Sequence, residues 1–260
     1  MILSEVQVER YARQIIIPEI GMDGQKKLLE SSVLVLGAGG LGSALLYYLT
    51  ACGVGNIGVA DYDKVDLSNL HRQIIYDIED IGKKKVLSVR EKIKRLNPDI
   101  NIAIFEEKIE KHNIQKIFSN YEIIVDGLDN FSDKFLVNEY SIKLNKKLVH
   151  AGVIGFEGQI LTIIPNKSAC LKCLFPDKEP LDYRQSCKEI GVLGPCVGVL
   201  STLQAIEVVK LILNIGELYT NRVLKYNALH GKFYEFKISD RNENCSVCSR
   251  NTEGLEVRKY

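Results

Sequence analysis

The sequence lacks an excess of charge of either sign, since its 34 lysines and arginines are balanced by 33 aspartates and glutamates. Proteins that bind nucleic acid or an anionic membrane through charge carry a basic excess, so this composition argues against both partners. The stretch around Glu5 and Glu9 lacks the apolar segment of a signal peptide, and later apolar runs are interrupted by Gly, Pro or charge. Internal repeats are absent as well. We therefore expect a soluble cytoplasmic protein.

One stretch, Ser32 to Gly42, joins an apolar run of strand length directly to a glycine turn. The apolar residues Val33 to Leu36 are typical of a central parallel strand buried on both faces. Gly37, Gly39 and Gly42 then have the G-x-G-x-x-G spacing. In a strand-turn-helix unit, the first glycine permits the turn, the second lets backbone approach a phosphate, and the third lets helix pack on strand. The helix N-terminus would then face an anion.

The residues after this turn complete the pattern of a nucleotide-binding unit. Ala44 to Thr50 predicts a helix and Asn56 to Ala60 a second strand. Asp61 follows that strand about 20 residues past the turn, where a carboxylate can accept hydrogen bonds from ribose hydroxyls. The alternative is a glycine turn that serves only strand-helix packing. NAD and ATP both present phosphate and ribose to such a turn, so these residues leave the nucleotide open.

Further along the chain, helix and strand patterns alternate. This alternation predicts an α/β fold with a Rossmann-like, mostly parallel sheet flanked by helices. Its ligands belong at the carboxyl ends of the strands, where Asp61 and Asp129 both fall. Beyond Gly152 the pattern changes to antiparallel C-terminal strands. The further predicted elements are helices in Glu5–Leu29 (broken near Pro18 and Gly21), Lys83–Leu96, His112–Phe118, Phe131–Asn145 and Val197–Leu213, and strands at Ile100–Phe105, Tyr121–Val125, Lys147–Ala151, Gln159–Ile164, Arg222–Tyr226 and Lys232–Ile238.

Four of the seven cysteines form two closely spaced pairs, Cys170-x-x-Cys173 and Cys245-x-x-Cys248. Two such pairs can complete a tetrahedral thiolate site for structural zinc. With four sulfur ligands the ion has no open position, so a catalytic role is not expected. The alternatives are two unrelated surface pairs or one redox pair. A zinc ion here would fasten the C-terminal tail to the middle of the fold.

These patterns divide the chain into three regions of one integrated domain. We expect an N-terminal helical arm in residues 1–30 and a nucleotide-binding α/β core in residues 31–165. Residues 166–260 would hold a crossover loop, a long helix, a β-hairpin and the zinc-bound tail.

A cluster of polar residues follows the second strand, and a solvated turn is its ordinary explanation. Asn69 and Arg72 near a phosphate-facing turn suit ATP better than NAD, which has little use for extra phosphate donors. Lys83 to Lys85 would ordinarily be a solvated helix face. Asp126 and Asp129 follow another strand, where helix capping alone would also explain them. The cluster consists of Asp63, Asp66, Ser68, Asn69, His71, Arg72 and Gln73.

Nearly the whole chain resembles the ThiF/MoeB/HesA adenylyltransferases, bacterial relatives of ubiquitin-activating enzymes. The resemblance implies ATP-dependent adenylation of the C-terminal glycine carboxylate of a small ubiquitin-like sulfur carrier protein ending in Gly-Gly, with release of pyrophosphate. The matching blocks are RYARQIIIPEIG (Arg10–Gly21), VLVLGAGGLG (Val33–Gly42), DYDKVDLSNLHRQ (Asp61–Gln73), DGLDN (Asp126–Asn130), GFEGQ (Gly155–Gln159) and both cysteine pairs.

The resemblance also implies roles for individual residues. Asp61 would hold the ribose, and Asn69, Arg72 and Lys85 would contact the phosphates. Asp129 would bring the Mg²⁺ ion that triphosphate chemistry requires. The remaining implied nucleotide-binding residues are Gly37, Gly39, Gly40, Gly42, Asp63, Gln73 and Asn130, together with Arg13, which would reach across a homodimer to the partner's ATP.

The three cysteines outside the pairs compete for a covalent role. Cys52 follows an apolar helix and is expected in the core. Cys196 begins a helix whose dipole would lower its thiol pKa. Cys187 is favoured, because its SCKEIGV block resembles the loop cysteine that links to the carrier in thiamine-type relatives. The resemblance further implies a separate sulfur donor protein, since no rhodanese-like segment follows Cys248.

The sequence leaves alternatives open for the carrier and for the class of function. The segment around CLFPDKEP, which begins at Cys173, resembles thiamine-type members and favours the carrier of thiazole synthesis. The alternative carrier is the subunit of molybdopterin synthase. Two hypotheses assign the protein to another functional class. One is an NAD-dependent oxidoreductase, in which Arg72, Lys85 and Asp129 would have no role, and the other is an adaptor that binds a carrier without activating it.

Overall fold

The structure is a computed structural model that describes residues 2–176, 190–238 and 241–249. These residues form one eight-stranded sheet with the spatial order β3-β2-β1-β4-β5-β6-β7-β8. The strands are β1 Ser32–Leu36, β2 Asn56–Ala60, β3 Asn101–Phe105, β4 Ile123–Asp126, β5 Lys147–Ile154, β6 Glu157–Ile163, β7 Arg222–Asn227 and β8 Lys232–Lys237.

The helices lie before and between the strands. Two short 3₁₀ helices, Leu67–Asn69 and Ile78–Asp80, follow β2. The α-helices are α1 Glu5–Ile15, α2 Gly21–Glu30, α3 Gly40–Cys52, α4 Lys85–Leu96, α5 Ile114–Phe118, α6 Phe131–Lys143, α7 Leu171–Leu174 and α8 Gly194–Leu213.

The first five strands are parallel and the last three are added antiparallel. Chain order reverses at β1, which pairs with β2 on one side and with β4 on the other. In doubly wound sheets this switch point opens a crevice outside the carboxyl ends of the strands, and ligands bind there. The mostly parallel α/β sheet with antiparallel C-terminal strands predicted from the sequence is confirmed.

Two apolar layers cover the sheet. One face packs against α3, α4 and α8, and the other against α5 and α6 together with the paired cysteines. Helix α8 is 20 residues long and apolar enough to cross a membrane by composition, yet 56% of its apolar window is buried inside the protein. It packs on α3, β5 and β6, as a core helix does.

The structure corrects several predicted element boundaries. Helix α3 begins at Gly40 rather than Ala44, so the glycine motif itself supplies the first turn. Strand β5 continues to Ile154, since a turn at Gly155 with φ of +56° returns the chain directly into β6. Helix α4 begins at Lys85 rather than Lys83, because Gly82 and Lys83 form backbone hydrogen bonds with Val65 in the segment after β2. The division into three regions stays a prediction.

Candidate functional site

The three motif glycines differ in what surrounds them. Gly37 has a φ of +87°, and a Cβ there would stand 2.9 Å from the carbonyl oxygen of Gly127. A Cβ on Gly42 would stand 2.1 Å from the carbonyl oxygen of Gly37. Around Gly39 the nearest atom is Nε2 of Gln73, 3.7 Å from the Cβ position. Gly37 and Gly42 are therefore required by the turn and its packing, whereas Gly39 faces open space.

Asp61 ties the end of β2 to the glycine turn. Its carboxylate accepts the backbone N–H of Ala38 and that of Asp63, each at 2.8 Å. Burial raises the pKa of Asp61, and the nearby Lys85 ammonium partly offsets that effect. A carboxylate oxygen accepts more than one hydrogen bond, so Asp61 retains capacity for a ligand's hydroxyl.

Lys85 stands at the first turn of α4, facing the end of β2. Its Nζ lies 2.9 Å from Oδ2 of Asp63, and the residue is only 5% exposed. The backbone N–H of Lys85 donates to the carbonyl of Asp63 at 3.1 Å, and Nζ of Lys84 donates to the carbonyl of Tyr62. The structure therefore places Lys85 on the Asp63 carboxylate, and its charge also acts on the neighbouring Asp61, within the set that the sequence predicted for a nucleotide.

Arg72 also packs against the glycine turn. Its Cγ is 3.7 Å from the Cβ position of Gly40, and its Nη1 donates to the carbonyl of Ser68 at 2.9 Å. The start of α8 packs on the same loop, since a Cβ on Gly194 would stand 2.4 Å from the carbonyl oxygen of His71. The guanidinium offers further donors suited to phosphate oxygens.

Asn69 and Gln73 have different environments on this loop. Asn69 closes a 3₁₀ turn, where its Oδ1 accepts the backbone N–H of Asp66 at 3.4 Å. Gln73 is 4% exposed and lies beside Gly39. Its buried Oε1 has no hydrogen-bond partner among the described residues. The structure thus brings Gln73 to the glycine turn and leaves Asn69 at the rim of the loop.

Asp126 is not a helix cap, so the capping explanation considered above is wrong for it. It is fully buried, and both carboxylate oxygens accept from Nζ of Lys134 at 3.1 Å. Burial alone would raise the pKa of Asp126, but the Lys134 charge and a hydrogen bond from His150 outweigh it and lower the pKa. The cap of α6 is Asn130, whose Oδ1 accepts the backbone N–H of Asp133 at 2.9 Å.

Asp129 differs from Asp126 in its exposure and in its contacts. It is exposed just past the carboxyl end of β4 and has no hydrogen bond or ion pair with the described residues. The turn that carries it is in contact with the glycine turn through Gly127 and Gly37. Carboxylate oxygens in such positions are the ligands that Mg²⁺ prefers, so the residue fits the magnesium role that the resemblance implied.

The four paired cysteines come together in one cluster. Their sulfur atoms all lie within 4.8 Å of one another, with Cys170 3.7 Å from Cys245 and Cys173 3.3 Å from Cys248. Tetrahedral zinc with Zn–S bonds of 2.3 Å would place its sulfur ligands about 3.8 Å apart. Arg241 donates to the carbonyl of Cys248 beside the cluster. The residues fit a structural zinc ion, as the sequence predicted.

The other candidate residues are spread over the chain. Arg13 is exposed on the last turn of α1 and has no hydrogen bond or ion pair with the described residues. Cys196 is buried, and burial raises its thiol pKa, contrary to the lowering expected from the helix start. Cys52, expected in the core, is only half-buried. Cys187 lies outside the described residues.

Sequence reasoning missed several residues that support the site. Lys134 and His150 surround Asp126, and the hydroxyl of Tyr76 donates to the carbonyl of Ala38 in the glycine turn at 2.8 Å. Gln204 of α8 donates to the carbonyl of Asp126 at 3.0 Å. No local pattern marks Lys134, since the residues three and four positions away on either side of it are not acidic.

A doubly wound sheet with a glycine turn and flanking acids at its switch point defines the α/β class that binds nucleotides in this crevice. The chain belongs to the ThiF family, which matches residues 11–247. A sulfur carrier protein adenylyltransferase of Thermus thermophilus is 37% identical over 99% of this chain and 96% of its own length. A probable molybdopterin-synthase adenylyltransferase of Gracilaria tenuistipitata is 39% identical over 92% of this chain and 67% of its own length.

Other relatives are longer than this chain. The adenylyltransferase and sulfurtransferase MOCS3 of Arabidopsis thaliana is 41% identical over 96% of this chain, which spans 54% of the plant protein. Among solved structures, E. coli MccB in complex with AMPCPP and MccA superimposes with a TM-score of 0.80 at 25% identity, over 92% of this chain and 74% of MccB. The family fold expected from the sequence is therefore confirmed.

Proposed function

We propose that this protein adenylates the C-terminal glycine carboxylate of a small ubiquitin-like sulfur carrier protein with ATP, releasing pyrophosphate. The observation that carries the proposal is the set of groups at the switch point. Asp61, the acid proposed for ribose, lies near the cation Lys85, and Arg72 packs against Gly40 of the glycine turn. Asp129 is exposed, has no hydrogen bond or ion pair among the described residues, and lies on the turn that contacts Gly37. A relative with a matching name spans nearly the same length.

The proposed chemistry suits these groups. A carboxylate resists nucleophiles because its leaving group would be oxide, whereas an acyl adenylate carries AMP as a far better leaving group. Charge accumulates on the phosphates as the carrier carboxylate attacks the α-phosphorus, so catalysis consists mainly of positioning and charge neutralisation. Lys85 and Arg72 supply fixed positive charge, and Asp61 orients the ribose. Mg²⁺ held by Asp129 would neutralise triphosphate oxygens.

Adenosine triphosphate is the proposed nucleotide for two reasons. The likeness of this fold to MccB includes a complex with AMPCPP, an analogue of ATP. An NAD-dependent oxidoreductase would need neither the buried Lys85 nor the exposed Asp129. A non-catalytic adaptor would retain the fold but has no reason to keep both of these groups beside the glycine turn.

A second copy of the chain is proposed to complete the site. Arg13 is exposed beside Ile16, which is 69% exposed, and Ile17. A homodimer that covers these apolar side chains would allow Arg13 to reach the partner's ATP. The oligomeric state in solution tests this part, and a monomer with full activity would contradict it.

The carrier is proposed to be of the thiamine-thiazole type, on the segment that begins at Cys173. The molybdopterin synthase subunit is the second candidate, and the name of the red-algal relative favours it. A separate donor protein would supply the sulfur, with Cys187 as the thiol that links to the carrier. The rates of ATP-pyrophosphate exchange, measured with each purified carrier, distinguish the two candidates.

ATP-pyrophosphate exchange tests the proposed function. Exchange should depend on a carrier with its native C-terminus, because adenylation requires the terminal glycine carboxylate. The matched control is the same carrier without its last glycine. Exchange that continues undiminished with the shortened carrier would contradict the proposal, and binding of NAD with no pyrophosphate exchange at all would support the oxidoreductase.

A further inference from the structure

A buried charged cluster lies directly beneath the turn that carries Asp129. Lys134 of α6 donates to both oxygens of Asp126 at 3.1 Å and to the carbonyl of Ala151 in β5 at 2.7 Å. His150 of β5 lies with Nδ1 2.7 Å from the same carboxylate. Lys134, Asp126 and His150 are at most 5% exposed. None of them belongs to the groups assigned above to nucleotide or metal.

The protonation states in this cluster follow from its surroundings. Burial lowers the pKa of His150, so the imidazole is neutral, while the pKa of Asp126 is lowered and the carboxylate is ionised. An ionised carboxylate only accepts hydrogen bonds, so Nδ1 of His150 carries the proton. Among the described residues, Lys134 is therefore the buried cation that offsets the charge of Asp126. Such a cluster adds little net stability compared with an apolar core of equal volume.

The cluster instead fixes the shape of the turn. Oδ1 of Asp126 also accepts the backbone N–H of Leu128 at 3.0 Å, which closes the turn immediately before Asp129. From the opposite face of the sheet, Nε2 of Gln204 donates to the backbone carbonyl of Asp126 at 3.0 Å. The end of β4 is thus held by α6, β5 and α8 together, and the exposed acid on the turn that follows it is Asp129.

We propose that Lys134 is a positioning residue for Asp129, acting through Asp126 and touching neither nucleotide nor metal. The inference rests on the proposed function, because it assigns Asp129 to magnesium. Without the ammonium, the Asp126 carboxylate loses its counter-charge and turns or takes up a proton. The hydrogen bond to Leu128 then weakens, and the Asp129 carboxylate no longer stands in one place beside the glycine turn.

The test is the gain in AMPCPP affinity that magnesium produces, measured by calorimetry with excess MgCl₂ and again with EDTA. In Lys134→Met this gain should fall about 10- to 100-fold, the loss typical when a group that orients a metal ligand is removed. Affinity in EDTA should stay near wild type. Lys134→Arg, which keeps a cation facing Asp126, should retain more of the gain than Lys134→Met.

Val137→Ala is the matched control, since Val137 is fully buried on the same helix and belongs to the apolar core. It should lower the midpoint of thermal unfolding and leave the magnesium gain unchanged. An equal loss of gain in Val137→Ala would overturn the positioning role, because general loosening of α6 would then explain it. Should Lys134→Met prove insoluble, Lys134→Gln replaces it with the same expected direction.

Asp129→Ala, measured in parallel, separates this inference from the proposed function. If Asp129→Ala removes the magnesium gain while Lys134→Met keeps it, Lys134 has no positioning role and the proposed function stands. If both variants keep the full gain, Asp129 does not hold magnesium, and both assignments are overturned. Loss of the gain in both, with Val137→Ala unaffected, supports the inference.

Discussion

Replacing Gly42 or Gly39 of the glycine motif by alanine should have different consequences, a loss of stability for Gly42 and a loss of nucleotide affinity for Gly39. In Gly42→Ala the new Cβ would stand 2.1 Å from the carbonyl oxygen of Gly37. Van der Waals contact requires about 3.5 Å, so the turn or helix α3 must move by about 1.4 Å. Both groups are buried backbone that cannot rotate away. We expect a loss of about 3 kcal/mol or more in the free energy of unfolding, at the upper end of overpacking costs.

In Gly39→Ala the Cβ meets nothing closer than the Gln73 amide at 3.7 Å, so the fold has room for it. The ψ of −146° lies at the edge of the broad β region, which costs about 1 kcal/mol for alanine. The added methyl group instead occupies the space that a phosphate needs. Losing one backbone hydrogen bond to a charged phosphate is worth about 1.5–3 kcal/mol, or about 10- to 100-fold in AMPCPP affinity.

Urea unfolding and calorimetric titration with AMPCPP separate the two effects. Gly42→Ala should mainly lower the unfolding free energy, whereas Gly39→Ala should remain folded and bind AMPCPP weakly. If Gly39→Ala binds AMPCPP like the wild type, the phosphates do not lie at this turn. If Gly42→Ala is as stable as the wild type, the packing assigned to the third glycine is wrong.

Three further outcomes are expected. Purified protein should contain one zinc ion per chain, and protein free of zinc under reducing, chelator-free conditions would contradict this. The variant Cys245→Ser should lose the zinc ion and expose the tail to protease, while AMPCPP still binds. Asp129→Ala should abolish pyrophosphate exchange and Arg72→Ala should slow it about 100-fold, the scale of one lost transition-state donor; near-normal rates would mean that the site lies elsewhere. Cys187→Ser should lose sulfur transfer and the carrier-linked species but keep exchange, whereas Cys196→Ser should keep all three; normal sulfur transfer in Cys187→Ser would remove its covalent role.

The strands and the glycine turn were predictable because they depend on local patterns. The apolar run Val33 to Leu36 can be buried on both faces only in the middle of a sheet, and β1 has that position. The paired cysteines were equally predictable, since their spacing brings two sulfurs to one ion before any tertiary contact is known. Asp61 followed from its distance along the chain from the glycine turn, a distance set by one helix and one strand.

The cluster beneath the site was not predictable, because its members meet only through tertiary packing. Asp126 and Asp129 are three residues apart and look alike in the sequence, yet one is buried on Lys134 and the other is exposed. The pattern that marks Lys134 as buried is absent, since α6 carries polar residues all round. His150 lies in a strand whose alternation does not say which helix covers it.

Adenylation is measured directly by the intact mass of a sulfur carrier incubated with this protein, ATP and MgCl₂, in the presence of pyrophosphatase to remove the second product. Adenylation should give a carrier heavier by one AMP unit, located on the C-terminal glycine. Omission of ATP, or use of Asp129→Ala, should leave the carrier at its original mass. A carrier that keeps its original mass with active wild-type protein, or one that carries AMP on another residue, would contradict adenylation of the C-terminal glycine.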